Sequence, residues 1–192
     1  VFIRVFSSGP LGTNAILIGC KKTKYAAEHL VIKKILLTHS HWDHIADAHL
    51  LKEKTGALLF VHSLDAPNVI KPGSDALPLF FPIKGVQPDG FLEEGKAIDL
   101  GHLHIEVIHT PGHSPGGVCF YLKDQNVLIS GDTLFRGSIG RLDLPTGKAP
   151  LMWKSLEKIQ ALPPQTRVIP GHGEETTLAN ESWLSHAKEM FS

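Results

Sequence analysis

Four apolar, strand-like runs in this chain each lead into a residue able to ligate a metal ion. Ile35-Leu36-Leu37 lead into Thr38-His39-Ser40-His41-Trp42-Asp43-His44, and Val107-Ile108 into Thr110-Pro111-Gly112-His113. Val127-Leu128-Ile129 lead into Ser130-Gly131-Asp132, and Val168-Ile169 into Pro170-Gly171-His172. Short apolar runs bounded by Gly and Pro read as buried strands. Four strand ends that deliver ligands read as one active site, so any fold must bring those ends together.

The rest of the chain fits sheets at the centre of a layered α/β protein, one domain over residues 1–192. Residues 1–6 and 13–20 read as two strands joined by a turn at Ser8-Gly9-Pro10, with a third strand from Leu30 to Leu37. Ile45 to Lys54 has helical spacing, and Ala57 to Val61 is a short buried strand. Asp65 to Gly90 is rich in Pro and Gly, an irregular segment of the kind that borders sites. Strands follow at 98–100, 102–108, 117–122, 126–129 and 167–169. Met152 to Leu162 is an amphipathic helix stopped by Pro163-Pro164, and Trp183 to Phe191 is the last helix, expected to pack on its own sheet. Only Lys21 to His29 separate two strands, too few for the crossover of about a dozen residues that parallel neighbours need. Either those strands are not parallel neighbours or natural residues are absent there.

Nineteen basic residues balance nineteen acidic ones, which gives no reason to expect a nucleic-acid or membrane partner. No apolar run approaches the ~20 residues of a membrane span. No signal-peptide pattern is visible, and the start at Val1 leaves room for a few preceding residues. Cys20 and Cys119 read as small buried hydrophobes rather than a disulfide, and the expected setting is cytoplasmic.

The candidate ligands divide into two sets. In His39-x-His41, alternate side chains can reach one ion, while Asp43 and His44 turn toward a second. His113 completes the first set, His172 completes the second, and the two oxygens of Asp132 can bridge them. Two dications ~3.5–4 Å apart hold a shared water as hydroxide near neutral pH, which suits attack on a carbonyl or phosphoryl centre. Asp43 and Asp132 are therefore also the catalytic carboxylates. Zinc is the expected metal, with iron or manganese as alternatives. His29, His49, His62, His102, His104, His109 and His186 read as structural or surface histidines, and His102 and His104 share one strand face.

Thr38 to His44, with Gly112-His113, Gly131-Asp132 and Gly171-His172-Gly173, resembles the metallo-β-lactamase-fold hydrolases from about Gly9 to Thr177. The resemblance implies a four-layer αββα sandwich with a dinuclear site at its sheet edges. Gly131 to Arg141 and Pro170 to Thr177 look like the glyoxalase II group, which hydrolyses S-(hydroxyacyl)glutathione thioesters. Only twenty residues follow His172, so the chain resembles the short glyoxalase II-like hydrolases without the helical extension that grips glutathione. The family's Asp-Pro-Gly segment before the His cluster is also missing. Arg136 and Arg141 are candidates for grasping a substrate carboxylate, or else for ion pairs that fix their loop. Phe80, Phe81 and Phe91 either wall the pocket or, the better expectation for each, pack in the core.

A small-molecule thioester is the expected substrate. The alternatives are a persulfide (sulfur) dioxygenase-like enzyme, with one iron on His39, His113 and Asp132, and a non-catalytic metal-binding scaffold. The intact ligand set, His41 included, argues against the scaffold. A β-lactamase is disfavoured because the family's lactamases commonly place Cys where Asp132 stands.

Overall fold

The computed structural model describes residues 1–19 and 31–191. Cys20, the Lys21–His29 connection and the start of the strand expected at Leu30 lie outside them. In chain order the elements begin with the hairpin β1 (Phe2–Ser8) and β2 (Thr13–Gly19) and the short strand β3 (Lys34–Leu36). Next come α1 (Trp42–Ile45), α2 (Ala48–Thr55), β4 (Leu58–His62), α3 (Ala66–Ile70) and β5 (Gly90–Leu92). A meander follows: β6 (Ala97–Leu100), β7 (Leu103–His109), β8 (Val118–Leu122) and β9 (Val127–Gly131). The chain closes with β10 (Leu134–Phe135), β11 (Ser138–Ile139), α4 (Ala149–Gln160), β12 (Arg167–Pro170), β13 (Thr176–Thr177) and α5 (Ala187–Phe191).

Side-chain alternation explains the layers. In β7, Leu103, Ile105 and Val107 are buried while His104 and Glu106 face solvent, the period of a half-covered strand. β8 and β9 are buried at every position, as strands covered on both faces must be. They lie in the middle of a six-stranded sheet ordered β13-β12-β9-β8-β7-β6. On one face of that sheet Cys119, Tyr121 and Leu128 pack under α4 through Met152, Leu156 and Ile159. On the other face Val118, Phe120, Leu122, Val127 and Ile129 meet Leu36, Phe60 and Leu92 of the parallel sheet β3-β4-β5, and Ile3, Val5, Ile16 and Ile18 of the first hairpin. Ile45, Ala48, Ala66 and Val69 then cover the outer face of the smaller sheet. The order is helix, sheet, sheet, helix: the αββα sandwich expected.

β2 and β3 belong to different sheets, so they are not parallel neighbours, the first of the two alternatives left by their spacing. Several details differ from the sequence reading, and α3 forms within the Asp65 to Gly90 segment expected to be irregular. The helix expected from Ile45 to Lys54 is two helices with a turn at residues 46 and 47, and the first begins inside the His cluster. The last helix is a 3-10 turn, Ser182–His186, followed by α5, with Trp183 and Phe191 packed on the core under α4. His102 lies in the turn before β7 instead of sharing a face with His104, which pairs with Asp99 at 2.6 Å. Cys119 is buried as expected. No helix among the described residues is long and apolar enough to cross a membrane.

Candidate metal centre

The topology places all four ligand-bearing loops on one edge. β8 runs antiparallel to both β7 and β9, and β12 runs parallel to β9, so β7, β9 and β12 point the same way. His113 follows β7, Asp132 follows β9 directly, and His172 follows β12. His39 and His41 leave the smaller sheet after β3, and Asp43 and His44 sit on α1. Val118 N donates to Thr38 O at 2.8 Å and ties that loop to the large sheet. Gly131 permits the contact: its φ is +50°, and a Cβ there would lie 2.7 Å from Thr38 Cβ.

All seven predicted residues converge, in the groups expected. His39, His41 and His113 offer ligand atoms within 4.8 Å of one another, as do Asp43, His44 and His172, and a third triad joins His39 and His44 through Asp132. Asp132 stands between the halves. Its Oδ2 lies 3.5 Å from His113 Nε2 and 3.5 Å from His172 Nε2, and its Oδ1 lies 3.3 Å from His44 Nε2. Asp43 Oδ2 is 3.1 Å from His172 Nε2 and 3.3 Å from His44 Nε2.

The hydrogen bonds of this cluster leave it fitted to a cation. His113 Nδ1 contacts Arg141 O at 2.9 Å, and a carbonyl can only accept, so Nδ1 carries the proton and Nε2 is bare. Thr146 Oγ1 donates to His113 O at 2.8 Å and therefore accepts from His41 Nε2 at 3.0 Å, which leaves His41 Nδ1 bare. The two bare nitrogens face each other at 2.8 Å. Burial holds both rings neutral, with His41 pushed down to about 3 and His113 lowered, so no proton lies between them. Burial likewise lowers His39, whose Nε2 has no partner, and Asp132 Oδ1 has no aligned donor. Facing lone pairs and buried polar atoms without partners are what a bound cation would satisfy.

The second half carries compensating charge. Hydrogen bonding to Asp132 and then to Asp43 pushes His172 up to about 10. Burial pushes the Asp132 carboxyl up, but His172, His39 and His44 more than reverse it and hold it well below the usual carboxylate range. Asp43 behaves similarly: burial raises it, and His172, His44 and Thr13 bring it below its ordinary value.

Several bracing residues were not foreseen. Thr13 Oγ1 donates to Asp43 Oδ2 at 2.9 Å, and Leu11 O accepts from His172 Nδ1 at 3.1 Å, so the first hairpin steadies the second half-site. Asn14 Nδ2 donates to Pro170 O and Gly173 O on either side of His172. Asp65, buried at 2% exposure, accepts from Ser40 N at 2.8 Å and Gly116 N at 2.6 Å, joining the His39–His41 loop to the His113 loop. Its one sequence signal, an acid ahead of Ala66-Pro67, suggests a helix N-cap, yet it makes no cap bond. Arg136 and Arg141 are exposed and ion-paired, Arg136 with Glu174 and Arg141 with Asp143 at 2.8 Å. The expectation that Phe80, Phe81 and Phe91 pack in the core is corrected: all three are exposed. The first two lie against Trp42, with ring centroids 5.2 and 5.6 Å away.

An αββα sandwich that gathers seven His and Asp side chains along one edge has the architecture of the metallo-hydrolases. The chain belongs to the metallo-beta-lactamase superfamily, whose family profile matches residues 28–172. It is 37% identical to the probable metallo-hydrolase YqgX of Bacillus subtilis, over 85% of this chain and 79% of that one. It is 32% identical to the hydroxyacylglutathione hydrolase GloC of Haemophilus influenzae, over 79% of this chain and 74% of that one. The fold superposes on the B3 metallo-beta-lactamase BLEG-1 with a TM-score of 0.86, at 31% identity and full coverage of both chains. It superposes on TTHA1623 in a di-iron-bound form with a TM-score of 0.78, at 35% identity, covering 95% of this chain and 97% of the other.

Proposed function

We propose that this chain is a dinuclear metallo-hydrolase of the glyoxalase II type, acting on hydroxyacylglutathione-type thioesters. His39, His41 and His113 would hold one ion and Asp43, His44 and His172 the other, with the Asp132 carboxylate placed between them. The observation that carries the reading is the pair of bare imidazole nitrogens of His41 and His113 facing each other at 2.8 Å beside the Asp132 carboxylate. Two divalent ions, zinc on this reading, would supply Lewis acidity toward a carbonyl oxygen and hydroxide near neutral pH.

The protein's own groups then act by position. Main-chain carbonyls and Thr146 hold the rings of His113, His172 and His41 with one nitrogen inward. Burial keeps His39, His41 and His113 neutral and so fit to ligate. Cys119 is not a competing nucleophile, because burial pushes its thiol up to about 11 and its Sγ lies 3.4 Å from Ser130 O. A thiolate leaves without help from a strong acid, so a thioester suits a site whose histidines are committed as ligands. The similarity to the Haemophilus hydroxyacylglutathione hydrolase supports that substrate class.

Metal analysis of protein purified without added metal, together with thiol release from S-D-lactoylglutathione, tests the proposal. Two ions per chain with thiol release are expected. One equivalent of iron with oxygen uptake on glutathione persulfide and no hydrolysis would establish the dioxygenase instead. Turnover of a β-lactam without thiol release would also overturn the thioesterase reading.

A further inference from the structure

We propose that Thr146 is a positioning residue of the first half-site, whose hydroxyl keeps His41 in the tautomer that turns Nδ1 toward the metal. The inference rests on the dinuclear reading above. Thr146 lies in Pro145-Thr146-Gly147 ahead of α4, outside every ligand motif, and is buried at 9% exposure.

A hydroxyl has one proton, and that of Thr146 is spent on His113 O at 2.8 Å. At its 3.0 Å contact with His41 Nε2 the oxygen can only accept, so Nε2 carries the hydrogen and Nδ1 does not. One side chain therefore sets the tautomer and ring orientation of His41 and also anchors the backbone of His113, its neighbour across 2.8 Å. His113 and His172 receive the same service from main-chain carbonyls, those of Arg141 and Leu11. His41 depends on a side chain, so its brace can be removed by substitution. Losing the partner of a ligating histidine's second nitrogen lowers metal affinity about 10- to 100-fold.

Thr146→Val keeps the shape and removes the hydroxyl, while Thr146→Ser keeps the hydroxyl. Long-range proton–nitrogen spectra of the imidazoles in metal-free protein read the tautomer. Titration with cobalt(II) against a chromophoric chelator reads the two affinities. Wild-type His41 should be entirely the Nε2–H form. Thr146→Val should populate the Nδ1–H form and weaken one of the two cobalt ions about 10- to 100-fold, leaving the other unchanged. Thr146→Ser should match wild type in both measurements. An Nδ1–H His41 in wild type, or unchanged cobalt affinities in a folded Thr146→Val protein, would overturn the role of the hydroxyl while the dinuclear reading stands. If wild type takes up no cobalt, the dinuclear reading fails instead, and the tautomer spectrum still decides what Thr146 does. Should Thr146→Val not fold, the wild-type spectrum decides alone.

Discussion

Gly171→Ala should cut turnover about 100-fold while leaving the fold in place, although Gly171 is not itself a candidate ligand. A Cβ at residue 171 would lie 2.0 Å from Asp132 Oδ1 and 2.9 Å from His44 Cε1. Since real Cβ contacts essentially never fall below 3.0 Å, the carboxylate must retreat by at least 1.0 Å, the difference between the two distances. Asp132 Oδ1 is the tip of a side chain, the φ of Gly171 lies outside the left-handed region, and the nearest backbone atom, Gly131 C at 3.1 Å, need give by only a few tenths of an ångström. The carboxylate that gives way is the one placed to touch both half-sites. A displacement of about 1 Å in a reacting constellation costs about 100-fold in rate. That corresponds to about 2.7 kcal/mol of transition-state stabilisation, read as the fall in kcat/KM.

Gly173→Ala is the matched control. Its Cβ would meet nothing within 4 Å, but its φ of +74° is one that L side chains resist, at a cost of about 1–2 kcal/mol. The two variants should therefore separate stability from catalysis. Gly171→Ala should melt close to wild type with thiol release down about 100-fold and one metal weakened. Gly173→Ala should melt lower with near-normal turnover. Thermal melts, metal content and the thioester assay on both proteins check this. A Gly171→Ala protein with two tight metals and wild-type kcat/KM would refute the steric argument and, with it, the bridging position of Asp132.

Asp132→Ala should abolish two-metal occupancy and turnover together, and full activity in that variant would refute a bridging role. Asp65→Asn turns an amide donor toward either Ser40 N or Gly116 N, losing a charge-assisted hydrogen bond worth about 1.5–3 kcal/mol; a chemical-denaturation midpoint equal to wild type would show that the two loops are held otherwise. In the metal-free chain, His172 is raised from 6.5 to about 10, so its contribution to stability is complete below pH 6.5 and is lost as pH rises through about 10. The depressed Asp132 acts in the opposite direction and loses its contribution as pH falls below the usual carboxylate range. An ion entering the second half-site near neutral pH must displace the His172 proton, so calorimetry in buffers of different ionisation heat should show about one proton released per chain. No release would place that proton elsewhere. Metal at 100 times its dissociation constant should stabilise the fold by about 2.7 kcal/mol per site, and identical melts with and without chelator would argue against any resident ion.

The candidate ligands were legible because each is announced locally. His39 to His44 are six consecutive residues, and His113, Asp132 and His172 each follow an apolar run and a glycine. The braces were not, because their partners lie far off in sequence: 30 residues from Thr13 to Asp43, 25 from Ser40 to Asp65, and 105 from His41 to Thr146. A lone Thr or Asp has no periodicity to betray it. The missed strands β5, β10, β11 and β13 are two or three residues long and exist only by virtue of the chain beside them. The exposed Phe80 and Phe81 misled for the opposite reason. Hydrophobicity argues for burial, but it does not say whether the covering partner is the core or Trp42 at its edge.

Neither sheet can build either half-site alone. His39, His41, Asp43 and His44 arrive from the smaller sheet, while His113, Asp132 and His172 arrive from the larger one. The distance between the two groups is therefore set by how Leu36 and Phe60 seat on Phe120 and Ile129, and by the bonds that cross the seam at Thr38, Asp65 and Thr13. A close-packed interface does not deform continuously, so the apolar core between the sheets acts as the ruler of the polar site at its edge. Bare nitrogens held 2.8 Å apart are electrostatically unfavourable without an ion, and the packing between the sheets is what keeps them there. The site is thus preorganised by burial elsewhere in the molecule, and an ion that binds it closes a link between two sheets that already fit.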